Sequence, residues 1–129
     1  MPNRVLVVED NEIVREAMLH HINSLGVNCY AVTTGEEAIE LAEYVDLIFM
    51  DIDLPGINGV EAARRIRKRE EEKLLEPVTI VATTCGDNKT DCLTAGMNDY
   101  QPKPIYRNDV KRLIERWLFS QPQKVRLLG

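Results

Sequence analysis

Two short apolar runs in this chain stop at carboxylates, and that pattern limits the possible folds more than any other feature. Leu47-Ile48-Phe49-Met50 leads straight into Asp51, and Ile52-Asp53-Leu54-Pro55-Gly56 follows. A short apolar run bounded by turn residues reads as a buried strand. Val5-Leu6-Val7-Val8 runs in the same way into Glu9-Asp10. If both strands belong to one sheet, they deliver three acids to one edge. Like charges at close range raise each other's pKa, so such a cluster calls for a cation. Hard oxygen ligands favour Mg2+.

The rest of the chain alternates in the same sense. Strand-like segments are expected at about 4–9, 27–32, 45–50, 77–83 and 98–101. Helical patterns are expected at about 11–25, 34–43, 58–75, 87–95 and 108–118. In the first helix Ile13, Val14, Ala17, Met18, Ile22 and Leu25 fall at helical spacing, and Gly26 suits its end. Thr34-Gly35-Glu36-Glu37 fits a capping box. Five β-α units predict an α/β fold, a parallel sheet with helices on its faces, over residues 1–119. Residues 120–129 lack periodicity and read as a tail or linker remnant. The charged run Arg64-Arg65-Ile66-Arg67-Lys68-Arg69-Glu70-Glu71-Glu72 reads as a solvated helix face with opposite charges as neighbours.

Composition narrows the function. With 129 residues the chain holds one domain with a real core. A net charge of −5 disfavours nucleic-acid binding. No apolar run approaches the roughly 20 residues needed to span a bilayer, and the N-terminus does not resemble a signal peptide. Cys29, Cys85 and Cys92 are an odd count without a CxxC pair. They read as reduced thiols of a cytoplasmic protein, and zinc is disfavoured because closely spaced ligand pairs are missing.

In an open α/β sheet, sites form outside the carboxyl ends of the strands. There the sequence supplies Glu9 and Asp10, then Asp51, then Thr83 or Thr84, then Lys103 within Gln101-Pro102-Lys103-Pro104. These types suit phosphoryl transfer. Asp51 can attack phosphorus as a nucleophile, giving an aspartyl phosphate. Mg2+ neutralises charge between the carboxylates and the phosphoryl oxygens. Lys103 offers a point charge. A threonine hydroxyl donates to a phosphoryl oxygen and reports its presence. His20 and His21 read as helix-surface residues.

Val7-Val8-Glu9-Asp10-Asn11, Met50-Asp51-Ile52-Asp53-Leu54-Pro55-Gly56-Ile57-Asn58-Gly59, Ala95-Gly96-Met97-Asn98-Asp99-Tyr100 and Lys103-Pro104 occur in order. Together they resemble the receiver domain of two-component response regulators, over roughly residues 4–118. That resemblance implies a flavodoxin-like fold of five parallel strands in order 2-1-3-4-5 with five helices. It implies that Asp51 is the phosphoacceptor and that Glu9, Asp10, Asp51 and the backbone carbonyl of Asp53 hold Mg2+. Lys103, before a cis proline bond, would contact the phosphoryl group. Thr83 would be the switch hydroxyl and Tyr100 the switch aromatic, although Thr84 follows where a small residue is usual. The partners implied are a histidine kinase or histidine phosphotransfer protein, with a homodimer also common, and the domain would act as a switch, not as a turnover enzyme. Cys92-Leu93-Thr94-Ala95-Gly96-Met97-Asn98-Asp99-Tyr100 is similar to hybrid-kinase receivers. A Mg2+-dependent phosphatase built on Asp51-Ile52-Asp53 and a receiver that only binds partners are the rival readings. A flavodoxin is disfavoured, because no Ser/Thr/Gly-rich phosphate loop follows the first strand.

Overall fold

Strands whose two faces are both covered read as unbroken apolar runs, and Val5–Val8, Leu47–Met50 and Ile80–Ala82 at the centre of this protein are of that kind. A computed structural model describes residues 4–119. Its strands are β1 (Arg4–Val8), β2 (Asn28–Val32), β3 (Leu47–Asp51), β4 (Thr79–Thr84) and β5 (Asp99–Pro102). They alternate with helices α1 (Glu12–Asn23), α2 (Gly35–Leu41), α3 (Gly59–Lys73), α4 (Lys89–Thr94) and α5 (Arg107–Ile114). All pairings are parallel, in the order β2-β1-β3-β4-β5. This is the flavodoxin-like arrangement that the resemblance implies. Every residue of β3 and β4 is buried, whereas the edge strands β2 and β5 are partly exposed.

The core has two layers, one on each side of the sheet. Leu6, Val8, Ile48, Met50, Ile80 and Ala82 face Ala38, Ala62, Ile66 and Cys92 of α2, α3 and α4. Val5, Val7, Leu47, Phe49 and Val81 face Met18 and Ile22 of α1 and Val110, Leu113 and Ile114 of α5. Each large side chain buried this completely contributes about 2 kcal/mol.

Helix starts follow local chemistry. Asn11 caps α1 by accepting from the Val14 amide, and Asn58 caps α3 by accepting from Glu61. Thr34 caps α2 through the Glu37 amide, as the capping box predicts. The Glu37 carboxylate also accepts from the Thr33 amide and the Thr34 hydroxyl.

Several boundaries differ from expectation. Strand β4 begins at Thr79 and not at Pro77. Pro77 has no amide hydrogen, and the Val78 amide is taken by Glu70 Oε2 at 2.8 Å. Helix α4 covers only Lys89–Thr94, because residues 85–88 are spent on turning away from the sheet edge. Helix α2 tightens into a 3₁₀ turn over Ala42–Tyr44. Helix α5 widens into a π turn over Glu115–Phe119, within which Trp117 Nε1 donates to Asp99 Oδ2 at 2.8 Å. The expected tail at 120–129 lies outside the described residues. Among the described residues, no helix is long and apolar enough to cross a membrane.

The charged run of α3 is only half a solvated face. Arg64, Arg65 and Lys68 are exposed, but Glu70 is buried and Arg67 half-buried. Arg67 donates to Glu70 Oε1 (2.8 Å), to the Gly96 carbonyl (2.9 Å) and to Asn98 Oδ1 (2.9 Å). Asn98 Oδ1 also accepts from the Ile80 amide. These charges join α3 to β4 and to the turn before β5. They belong to the fold and not to the solvent.

Two measurements test this packing. A Cβ on Gly59 would clash with the Asp51 carbonyl oxygen, part of a backbone that cannot swing away. Gly59→Ala is expected to cost about 1–3 kcal/mol in urea unfolding. Burial pushes the Cys29 thiol up to about 12 and raises that of Cys92, whereas Cys85 is exposed. Iodoacetamide at pH 8 should therefore alkylate Cys85 well before the other two in the native protein, as read by peptide mass.

Candidate functional site

The carboxyl ends of β1, β3, β4 and β5 meet at one edge of the sheet, and the charged groups named from the sequence meet there with them. Asp51 is the last residue of β3, and Glu9 and Asp10 follow β1. Lys103 follows β5, where its amide donates to the Thr84 carbonyl at 2.8 Å. The peptide bond between Lys103 and Pro104 is cis, as expected.

The centre of the site is an ion triad. Lys103 Nζ lies 2.8 Å from Glu9 Oε1 and 3.2 Å from Asp51 Oδ1. The two acid side chains are 4% and 2% exposed and the lysine 15%, so water screens this triad weakly. Glu9 is held at its other oxygen by the Asn11 amide at 3.1 Å. Asp51 Oδ1 accepts from the Asp53 amide at 3.2 Å, the local turn that Leu54-Pro55-Gly56 completes.

Burial raises the pKa of Glu9, the Lys103 and Asn11 hydrogen bonds pull it back, and the Asp51 charge adds to the rise; the net direction is upward. For Lys103 burial pulls downward, but the Glu9 hydrogen bond and the two carboxylate charges outweigh it, and its pKa is raised. The lysine therefore stays charged.

Asp10 is the exposed member of the acid cluster. One oxygen each of Glu9, Asp10 and Asp51 lies within 4.8 Å of the others. Three carboxylates at this spacing are a hard-oxygen donor set with room for a small divalent cation. Asp53 is exposed at the same mouth, and its carbonyl has no hydrogen-bond donor among the described residues. An open cleft lined by Asp10, Asp53, Asn58, Arg64, Asn88 and Asp91 leads from solvent to these acids. A cavity of about 330 Å³ lies at the other end of the sheet, between α2, α3 and the start of β4. It contains none of these groups.

The register separates the two threonines. Asp51 pairs with Thr83 across β3 and β4. In parallel strands paired residues share a face, so the Thr83 side chain is beside Asp51. Thr84 points to the other face, where its hydroxyl accepts from the Gly86 amide at 3.0 Å. Tyr100 of β5 is half-buried against the α3–α4 side of the core, and its hydroxyl donates to the Gly86 carbonyl at 2.5 Å. Thr84 and Tyr100 thus both hold the turn that follows β4. His20 and His21 lie on α1, away from these groups.

Among the residues missed from sequence are Arg67, Glu70 and Asn98. The signal for Glu70 was present, since it falls at i+4 from the buried Ile66 on the same stripe as Ala62 and Ala63.

The response regulator receiver domain family matches residues 5–115. Hybrid signal transduction histidine kinase L of Dictyostelium discoideum is 34% identical over 88% of this chain, which spans 7% of that protein's length. The receiver domain of sensor histidine kinase PA1611 from Pseudomonas aeruginosa PAO1, solved with a magnesium ion coordinated in its active site cleft, is 35% identical. It superposes with a TM-score of 0.81, covering 93% of this chain and 100% of that one. The Saccharomyces cerevisiae complex of the histidine phosphotransfer signaling protein Ypd1 with the receiver domain of its downstream response regulator Ssk1 matches at 31% identity. Its TM-score is 0.85, with 90% of this chain and 88% of that one covered. With a family match over nearly all the described residues, this chain belongs to the response regulator receiver domain family.

Proposed function

We propose that Asp51 is the phosphoacceptor of a two-component phosphorelay. The observation that carries this reading is the triad, in which a buried nucleophilic carboxylate has a lysine at 3.2 Å and two further acids beside it. One Asp51 carboxylate oxygen attacks phosphorus. The bond from phosphorus to the donor histidine nitrogen breaks with its electron pair on the imidazole, which then takes a proton from solvent. Glu9, Asp10, Asp51 and the Asp53 carbonyl would hold Mg2+, which supplies positive charge to the phosphoryl oxygens when bound. Lys103 then turns from Glu9 toward the new phosphoryl oxygens. Nothing else in the site is required to act as acid or base.

Thr83 is the switch hydroxyl in this reading, since it is on the face of Asp51. Tyr100 gives up the Gly86 carbonyl when the turn after β4 moves. The phosphoryl group thereby biases two packings of the α4–β5 side. The domain is a switch that catalyses its own modification, not a turnover enzyme, and its free thiols suit the cytoplasm. A histidine kinase or histidine phosphotransfer protein is the donor. Similarity to a hybrid kinase and to a receiver solved with a phosphotransfer protein favours a relay between such partners.

Intact mass after incubation with Mg2+ and acetyl phosphate tests the acceptor. A gain of one phosphoryl group that hydroxylamine removes is expected, and none in Asp51→Asn. A gain in the variant places the acceptor elsewhere.

The triad has its own test in metal-free protein. Removing the lysine leaves two buried carboxylates without a counterion. Lys103→Met should lower stability at pH 7 by about 3 kcal/mol in urea unfolding. The folded pKa of Glu9 lies above its ordinary 4.5, so the native state keeps a proton that the unfolded chain has lost. The stability from that proton is present below 4.5 and is lost as pH rises through the raised value. The cost of Lys103→Met should therefore shrink as pH falls toward 4.5, whereas a pH-independent cost would show that packing alone was lost.

A further inference from the structure

The metal-binding reading leaves one ligand without support. Glu9 is held by Lys103 and by the Asn11 amide, and Asp51 by Lys103 and by the Asp53 amide. The Asp10 carboxylate is exposed and makes no hydrogen bond or ion pair with any described residue. Only its backbone can be held, and one side chain does so. Arg15, in the second turn of α1, turns back over the helix start. Its Nη1 is 3.2 Å from the Glu9 carbonyl oxygen and 3.3 Å from the Asp10 carbonyl oxygen.

The position of Arg15 is informative because the local alternatives favour another choice. A cation near a helix N-terminus is opposed by the helix dipole. Glu12 stands at i−3, where an ion pair along the helix surface is available, and no such pair forms among the described residues. The guanidinium instead bridges two consecutive carbonyls of the loop that carries both acids. It joins α1 to the end of β1 and sets where the Asp10 Cα–Cβ bond points.

We infer that Arg15 is a positioning residue for the metal site: it holds the backbone of Asp10 so that an otherwise unrestrained carboxylate meets the cation with Glu9 and Asp51. This inference rests on the proposed Mg2+ site. Groups that orient metal ligands without touching the metal typically change metal affinity by about 10- to 100-fold. The effect expected here is about tenfold, because Glu9 and Asp51 keep their own supports.

The experiment is calorimetric titration of the metal-free full chain with MgCl2, for the wild type, Arg15→Gln and Arg15→Lys. The phosphorylation rate with acetyl phosphate is then measured at saturating Mg2+. The expected result is a Kd for Mg2+ raised about tenfold in Arg15→Gln, with Arg15→Lys between the two because one ammonium can still bridge the carbonyls. The rate at saturating Mg2+ should stay within about twofold of wild type, since Arg15 touches neither Asp51 nor Lys103. An unchanged Kd in a folded Arg15→Gln protein overturns the inference. So does a saturated rate that falls as far as the affinity, because that marks general damage to the fold. Wild-type protein that takes up no Mg2+ would overturn the metal site itself, and this outcome is distinct because it appears before any variant is compared.

Discussion

The Lys103 ammonium between Glu9 and Asp51 is the interaction on which the rest of this molecule turns. Two carboxylates buried within a few ångströms of each other do not both stay ionised without a cation. Lys103 supplies that cation from a residue 94 positions away from Glu9 in the chain. Its own position depends on β5 pairing with β4, and on the Lys103 amide reaching the Thr84 carbonyl. Pairing of the fourth and fifth strands is thus tied to the electrostatics of the first and third. The chemistry of the edge and the closure of the sheet are one structural problem with one solution.

The same interaction suits a switch. A lysine shared by two acids loses little by moving from one partner to a phosphoryl group, which carries more charge than either carboxylate. The groups beside it are poised for small movements. Thr83 is on the face of Asp51, and Thr84 and Tyr100 both bind the backbone of Gly86. A shift of the turn after β4 therefore reaches the tyrosine directly. On the far side of that turn the Arg67–Glu70–Asn98 contacts hold the end of α4 and the start of β5 against α3. The turn after β4 thus lies between the edge that carries Asp51 and contacts that anchor α4 and β5 to α3.

Much of this was legible before the structure. The central strands announce themselves because both faces are covered, so Val5–Val8 and Leu47–Met50 are unbroken apolar runs that each lead into a carboxylate. Helix starts at Asn11, Thr34 and Asn58 were marked by side chains that cap amides within three residues. What failed to show was anything that depends on a contact across the sheet. Strand β4 starts late because Glu70, eight residues upstream, takes the Val78 amide. Arg67 and Glu70 looked like surface charge because a charged run has no feature that separates its inward-facing members from its outward-facing ones. Only Glu70's spacing from Ile66 hinted otherwise.

The two threonines show where the boundary lies. Sequence alone determined the kinds of element, their order, and which residue types stand at strand ends, because those depend on side chains within a turn or two of each other. It left Thr83 and Thr84 as alternatives, since a shift of one residue in a strand moves every side chain to the opposite face. The pairing of Asp51 with Thr83 puts the Thr83 side chain on the face of Asp51 and that of Thr84 on the other. The tertiary structure likewise decided that Lys103 reaches both acids and that Arg15 bends back onto the loop of Glu9 and Asp10. Such contacts arise from parallel crossovers, which gather the carboxyl ends of distant strands at one edge, and no local pattern in the chain records the distances that result.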